Sequence, residues 1–159
     1  MRRLVVLGLI GSVLAGCSAY QRTYDEKLAS LEQQARSEDA QQAAMHAEAS
    51  RYAAVIYFPT GSAVVDADGA RELTWFADKM KPYPRAIILV QGFTDDVGSE
   101  ATNQSLSEMR AQAVAEVLEA QGIAASRLDV QGFGTNYAAA PDATAQVRRN
   151  NRRVEVTVR

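Results

Sequence analysis

The chain has few of the residues from which metal sites, disulfide frameworks and nucleophilic catalytic sets are built. Among 159 residues there is one cysteine, Cys17, and one histidine, His46. A single cysteine excludes an intrachain disulfide framework, and one cysteine with one histidine argues against a zinc-type site. A Ser–His or Cys–His catalytic set is not in evidence either. We therefore expect no metal, no cofactor and no enzymatic activity.

Excess positive charge is also lacking. The 17 lysines and arginines face 19 aspartates and glutamates, and the formal net charge is -2. Nucleic-acid-binding domains are usually strongly basic. We therefore expect no nucleic-acid partner, and we interpret Arg149 and Arg153 of the arginine cluster at residues 148–153 as surface residues that form ion pairs of small energy.

The N-terminus has the pattern of an export signal. It reads "MRRLVVLGLIGSVLAGCSAY", with two arginines, an apolar run and small residues ahead of Cys17. The apolar run is shorter than the roughly 20 residues that a membrane-spanning helix needs, so residues 1–16 are predicted to be a signal peptide. Leu14-Ala15-Gly16-Cys17 resembles a bacterial lipobox. That resemblance implies cleavage before Cys17 and a lipid anchor, palmitate included, on its thiol; the alternative is an ordinary buried cysteine.

Residues 17–51 are predicted to carry the lipidated cysteine and a helical spacer. From Ser18 to Tyr52 the chain has no glycine or proline and is rich in Ala, Gln and Glu, which favours a helix. A heptad pattern places a thin apolar stripe at Tyr24, Leu28, Leu31, Ala35, Met45, Ala49 and Tyr52. The stripe predicts a protein partner or self-association through residues 21–52. A solvated linker without specific contacts is the alternative.

Residues 52–159 are predicted to form one α/β domain, an α+β sandwich. Strand-like runs alternate with helix-like segments in the order βαβαββ, which predicts a mixed sheet with helices packed on one face, preceded by the long N-terminal helix. The apolar run Ala86–Val90 predicts a strand buried on both faces. The second helix, from about Asn103 to Gln121, is expected to bury Leu106, Met109, Ala113, Val114, Val117 and Leu118. A polar loop through Pro141 is expected to lead into the last strand.

An arginine interrupts the apolar stripe of that second helix. Arg110 lies four residues after Leu106, and Asn103 lies two turns earlier on the same side. A guanidinium at the edge of a core must be paired or reach water. Asp95, in the loop before the helix, and Arg152, at the start of the last strand, are the expected neighbours. One acidic and two basic groups suit a zwitterionic, amino-acid-like ligand. An internal salt bridge that holds the loop to the helix is the alternative.

The stretches "GFTDDVGSEATNQSLSEMRAQAVAEVL" and "RRNNRRVEV" together resemble the OmpA-like peptidoglycan-associating domain over residues 52–159. Many residues of the family pattern are present here at its fixed spacings. They include Gly92, Thr94, Asp95, Gly98, Asn103, Leu106, Ser107, Arg110, Ala111, Val114, Asn151, Arg152, Arg153 and Val154. The resemblance implies binding of meso-diaminopimelate in peptidoglycan stem peptides through Asp95 and Arg110. Supporting contacts are implied for Thr94, Asn103 and Arg152.

Three positions depart from the family pattern. Phe93 replaces the common histidine, Thr102 replaces the common tyrosine, and Pro59 stands where many members have an acidic residue. The pocket wall is therefore expected to differ from that of other members.

The resemblances together predict an outer-membrane lipoprotein that faces the periplasm and tethers the membrane to the cell wall. Ser18 supports the outer membrane, because an aspartate after the lipidated cysteine commonly retains lipoproteins in the inner membrane. The alternative is an accessory or signalling subunit of an envelope complex, whose helix binds a protein partner. A glycan hydrolase is not expected, because the side chains of adjacent Asp95 and Asp96 would diverge in an extended loop, whereas glycosidases place two carboxyls across the bond.

Overall fold

The computed structural model describes residues 2–136 and 144–159, with side chains from Tyr20 onward. The chain divides into two compact units, Met1–Ala44 and Met45–Arg159. The predicted boundaries of the signal peptide, the spacer and the domain, at residues 16 and 51, stay predictions. The predicted loop through Pro141 falls in residues 137–143, outside the described part.

The N-terminal helix, α1, runs from Arg2 to Ala49 and confirms the predicted long helix. Large apolar side chains of the predicted stripe are exposed in the first unit, namely those of Tyr24, Leu28 and Leu31. The side chain of Cys17 lies outside what the structure describes, and lipidation there stays a prediction. In the described part of the chain, we find no helix with an apolar stretch long enough to cross a membrane.

The second unit contains a four-stranded mixed sheet. Its strands are β1 (Ala54–Tyr57), β2 (Ile88–Gly92), β3 (Leu128–Gly132) and β4 (Arg153–Val158), in the order β1-β4-β2-β3. Strand β4 is antiparallel to both of its neighbours, and β2 and β3 are parallel. Val154 and Val156 of β4 are fully buried, as their alternation with polar residues predicts. The predicted mixed sheet is confirmed.

Two helices supply most of the rest of the core. Helix α2 (Ala67–Met80) begins after Asp66, whose Oδ1 accepts a hydrogen bond from Gly69 N at 2.8 Å. Helix α3 (Glu100–Ala120) begins after Ser99, whose hydroxyl accepts from Thr102 N at 3.1 Å. Side-chain oxygens at these positions satisfy backbone N–H groups that the first turn of a helix leaves unpaired.

A short helix, α4 (Ala145–Asn151), precedes β4 and was not predicted from the sequence. Its seven residues are mostly polar and too few to show an apolar period. The local signal is Thr144, whose hydroxyl accepts from Val147 N at 3.2 Å. Because the helix ends at Asn151, it delivers Arg152 to the beginning of β4.

The prediction that residues 86–90 are buried on both faces was wrong. Ile88 and Val90 are fully buried, whereas Leu89 between them is only half-buried. Helices cover one face of this sheet, so only alternate residues of β2 enter the core.

The predicted buried face of α3 was also partly wrong. Met109 is 52% exposed, and the buried residues are Asn103, Ser107, Arg110, Ala111, Val114, Ala115 and Leu118. The cause is a close approach of α3 to the sheet. A Cβ on Gly92 would lie 2.2 Å from Ser107 O, so only a glycine fits beneath the helix. Such an approach favours small helix residues at the contact and turns Met109 outward.

Candidate binding site at the end of the sheet

Helix α3 places Arg110 beneath the end of the sheet, where its side chain is fully buried. Its guanidinium donates three hydrogen bonds to backbone carbonyls. Nε donates to Ser62 O at 2.8 Å, Nη2 to Pro59 O at 3.0 Å and Nη1 to Phe93 O at 3.1 Å. The guanidinium carbon also lies 5.2 Å from the ring centre of Phe58. Arg110 therefore ties the loop after β1 to the end of β2.

Asp95 lies three residues beyond β2 and is 5% exposed. Its Oδ2 accepts a hydrogen bond from Arg152 Nη1 at 2.8 Å, in an ion pair whose side chains are 6% and 14% exposed. Arg152 Nε also donates to Phe58 O at 3.1 Å. The sequence suggested that Asp95 would pair with Arg110. The structure instead pairs Asp95 with Arg152, so the bridge holds the loop to the start of β4 and not to α3.

The charges of Asp95, Arg110 and Arg152 act on one another. Burial lowers the pKa of Arg110 to about 10, the charge of Asp95 opposes that shift, and the charge of Arg152 adds to it. Arg110 therefore stays cationic at neutral pH. Among the residues that the structure describes, Arg110 forms no ion pair within 4.0 Å, while Asp95 is paired with Arg152. Two cations thus share one carboxylate, which leaves one excess positive charge.

The other two of the three supporting residues expected from the family pattern, Thr94 and Asn103, lie in the same region. Thr94 is 1% exposed, and its Oγ1 is buried without a hydrogen-bond partner. Asn103 is buried in the first turn of α3, with Oδ1 3.8 Å from the position that a Cβ on Gly98 would occupy. Within the described ranges, neither side chain forms a hydrogen bond with Asp95, Arg110 or Arg152.

The three departures from the family pattern have distinct positions. Pro59 contributes its carbonyl to Arg110, so a backbone oxygen holds the guanidinium at the position where many members have a carboxylate. Thr102 is exposed, and its hydroxyl lies 2.7 Å from that of Ser99. Phe93 is buried, and its ring stacks on Phe133 with the centres 5.5 Å apart.

The prediction that Arg153 is a surface residue was wrong. Arg153 does pair with Glu155, with Nε 2.6 Å from Oε1, but it is only 8% exposed. Its guanidinium carbon lies 4.2 Å from the ring centre of Phe93. The sequence contained a signal for this contact, because Arg153 and Phe93 are an arginine and an aromatic residue on the same face of neighbouring strands. The carbonyls of Pro59 and Ser62, by contrast, had no signal in the sequence.

In residues 2–136 and 144–159, we find no cluster of three or more His, Cys, Asp or Glu residues suited to a metal ion. The polar groups at the end of the sheet are instead suited to hydrogen bonding and charge pairing.

The fold and this site define a class, an α/β domain in which acidic and basic side chains meet beside the ends of the strands. The sequence profile of the OmpA family matches residues 57–152, which is more than half of the chain. The chain belongs to the OmpA family, and the resemblance seen in its motifs is confirmed.

Known proteins support this membership. The chain is 40% identical over 103 residues to the probable lipoprotein YiaD of Escherichia coli, covering 65% of this chain and 47% of YiaD. It is 40% identical over 98 residues to the peptidoglycan-binding protein ArfA of Mycobacterium tuberculosis, covering 62% of this chain and 30% of ArfA. The chain therefore spans less than half of the length of either relative.

A solved structure agrees with the fold. The peptidoglycan-associated lipoprotein from Burkholderia pseudomallei superimposes with a TM-score of 0.64 at 27% identity, covering 66% of this chain and 89% of that one. The predicted fold class is thereby confirmed.

Proposed function

We propose that this protein is an outer-membrane lipoprotein that binds peptidoglycan non-covalently through the diaminopimelate of the stem peptide, and so tethers the membrane to the cell wall. The names of two similar proteins support peptidoglycan as the ligand, because one is a peptidoglycan-binding protein and the other a peptidoglycan-associated lipoprotein. The name of a third, a probable lipoprotein, supports the anchor.

The observation that carries the proposal is the charge arrangement of Asp95, Arg110 and Arg152. Two guanidiniums and one carboxylate suit a ligand end group that has both a carboxylate and an ammonium. Diaminopimelate has such a group at the end of its side chain. Its carboxylate would neutralise the excess positive charge, and its ammonium would share Asp95 with Arg152.

The different burial of these side chains supports different roles for them in the proposed site. Arg152, whose side chain is 14% exposed, donates directly to the ligand carboxylate. Arg110 is fully buried and supplies a fixed positive charge beneath the ligand. Thr94 Oγ1, which is buried without a partner, provides a further hydrogen-bonding group beside Asp95, and Asn103 supports the loop above.

The N-terminal region completes the tether. A lipid on Cys17 holds the chain in the outer membrane, and α1 separates that anchor from the binding domain in the periplasm. The affinity of one site need not be high, because confinement between two surfaces and many copies raise the effective concentration.

Co-sedimentation with purified cell-wall sacculi tests the proposal. The whole chain, extracted in detergent, is expected to sediment with sacculi, and Asp95→Asn is expected to remain in the supernatant. Asp96→Asn is the matched control, because it makes the same change at the exposed neighbouring residue. Sedimentation of Asp95→Asn at the wild-type level would exclude this site as the receptor.

A second function is favoured by one observation, the exposed apolar side chains of Tyr24, Leu28 and Leu31 on α1. They suit an accessory or signalling subunit whose helix binds a protein partner, with the domain only localising it. In that case, deletion of residues 21–50 would abolish the cellular phenotype that Asp95→Asn merely weakens. If the protein is a tether, Asp95→Asn is expected to cause a more severe phenotype than deletion of residues 21–50.

A further inference from the structure

Phe93 connects the binding site to the opposite face of the sheet. Its carbonyl faces the site and accepts from Arg110 Nη1 at 3.1 Å. Its ring lies on the other face, against the guanidinium of Arg153 at 4.2 Å and the ring of Phe133 at 5.5 Å. The two neighbouring arginines have different partners: Arg152 pairs with Asp95, and Arg153 lies against the ring of Phe93.

The backbone of the same segment is held on both sides. Phe93 N donates to Arg153 O at 2.8 Å on β4, and Thr94 N donates to Gly134 O at 2.8 Å beyond β3. Two residues after the ring of Phe93, Asp95 pairs with Arg152, which is the neighbour of Arg153 in the chain. Contacts thus run from residue 93 to residue 153 and from residue 95 to residue 152, beside the end of β2 and the start of β4. A shift of the ring would move the carboxylate relative to its arginine.

We propose that the stack of Phe93 on Arg153 positions the binding site, and that Phe93 is a positioning residue for ligand recognition. The stack fixes the segment that presents the Phe93 carbonyl to Arg110 and the Asp95 carboxylate to Arg152. This inference rests on the proposed function, because it concerns ligand affinity at the same site.

The contact requires an aromatic ring and not merely apolar volume. A guanidinium is attracted to the face of an aromatic ring, and this attraction strengthens away from water. Arg153 is almost buried, so little water competes for it. Leucine at position 93 would fill much of the space but would leave Arg153 without a ring to hold it, whereas tyrosine would keep the ring.

Titration calorimetry with the whole chain in detergent tests this proposal. The probe is the synthetic tripeptide L-Ala-γ-D-Glu-meso-diaminopimelate. We expect Phe93→Leu to weaken binding about ten-fold, a loss typical of a cation–π contact, and Phe93→Tyr to restore it within about two-fold. Phe133→Leu is the matched control, because it makes the same change in the same stack but keeps the contact between Phe93 and Arg153. It is expected to bind within about two-fold of the wild type.

The outcomes separate this proposal from the one on which it rests. If the wild type binds the peptide and Phe93→Leu binds it with the same affinity, the positioning role is overturned. It is also overturned if Phe133→Leu loses as much affinity as Phe93→Leu. Absence of wild-type binding overturns the proposed function instead. If Phe93→Leu does not fold, Arg153→Met replaces it, since that change removes the cation and keeps the ring. Wild-type affinity in Arg153→Met would likewise contradict the proposal.

Discussion

Arg110 is the residue on which the site depends most. Its guanidinium is buried yet charged, a state that is costly unless hydrogen bonds satisfy its donors. Three backbone carbonyls do so, from Pro59, Ser62 and Phe93. The same bonds hold the loop after β1 against the end of β2. In the proposed function, Arg110 therefore serves stability and binding together, and its replacement tests both at once.

Replacement of Arg110 by leucine is expected to destabilise the domain by roughly 3–5 kcal/mol, because three carbonyls lose their donor and Asp95 loses a nearby cation. Urea denaturation followed by circular dichroism measures the loss. Arg71→Leu is the control, since Arg71 is exposed on α2 and pairs with its helical neighbour Asp68. A loss below about 1 kcal/mol for Arg110→Leu would show that the three hydrogen bonds contribute little.

The ion pair between Asp95 and Arg152 can be tested by a double-mutant cycle. Arg152→Gln leaves Asp95 without its partner in a nearly buried position, and Asp95→Asn leaves Arg152 in the same state. The double mutant contains neither charge. We expect its loss of unfolding free energy to be smaller than the sum of the single losses by about 1–3 kcal/mol. Additive losses would mean that the two side chains are not coupled.

At the scale of elements, the central contact is that of α3 with the sheet. The helix approaches so closely that Gly92 and Gly132 lie against its backbone at Ser107 and Glu108. This contact sets the rotation of α3 about its axis, and that rotation turns Arg110 toward the Phe93 carbonyl. The position of the binding site is thus determined by glycines on the strands as well as by the helix itself.

Gly92→Ala is expected to destabilise the domain by about 3 kcal/mol or more, since the added methyl would overlap the Ser107 carbonyl and neither backbone can yield easily. Gly61→Ala is the control. Gly61 has a positive φ of 69° but open space around its Cβ position, so its cost is strain of about 1 kcal/mol. Thermal unfolding compares the two, and equal shifts in Tm would contradict the close approach.

Several elements were predictable because their patterns depend on short-range chemistry. The alternation of valines with polar residues indicates β4. The apolar period of α2, preceded by Asp66 and Asp68 as candidate caps, indicates that helix, and the structure has Asp66 as the cap. The position of Arg110 inside an apolar stripe predicted Asp95 and Arg152 as its neighbours, and their charges do act on it. The rotation of α3 was missed because its buried face is made of alanine, serine, asparagine and arginine, which hydropathy does not distinguish. The carbonyls that hold Arg110 were missed because backbone acceptors carry no sequence signal.

At the scale of the whole molecule, a tether requires that one end of the chain be anchored. Cys17→Ser is expected to abolish incorporation of labelled palmitate and to move the protein from the membrane fraction to the soluble fraction, because no other thiol is present. Ser18→Asp is the companion variant. It should remain labelled, and it should shift toward the inner membrane on a density gradient. Full labelling of Cys17→Ser would refute lipidation at this residue.

The most direct test of the central claim compares two ligands that differ by one carboxylate. The tripeptide L-Ala-γ-D-Glu-meso-diaminopimelate carries a carboxylate beside the terminal ammonium, and the same tripeptide with L-lysine lacks it. Because the site has two guanidiniums and one carboxylate, we expect the wild-type chain to bind the diaminopimelate peptide about 10- to 100-fold more tightly by calorimetry. Equal affinities for the two peptides would show that the arginines do not recognise the ligand carboxylate.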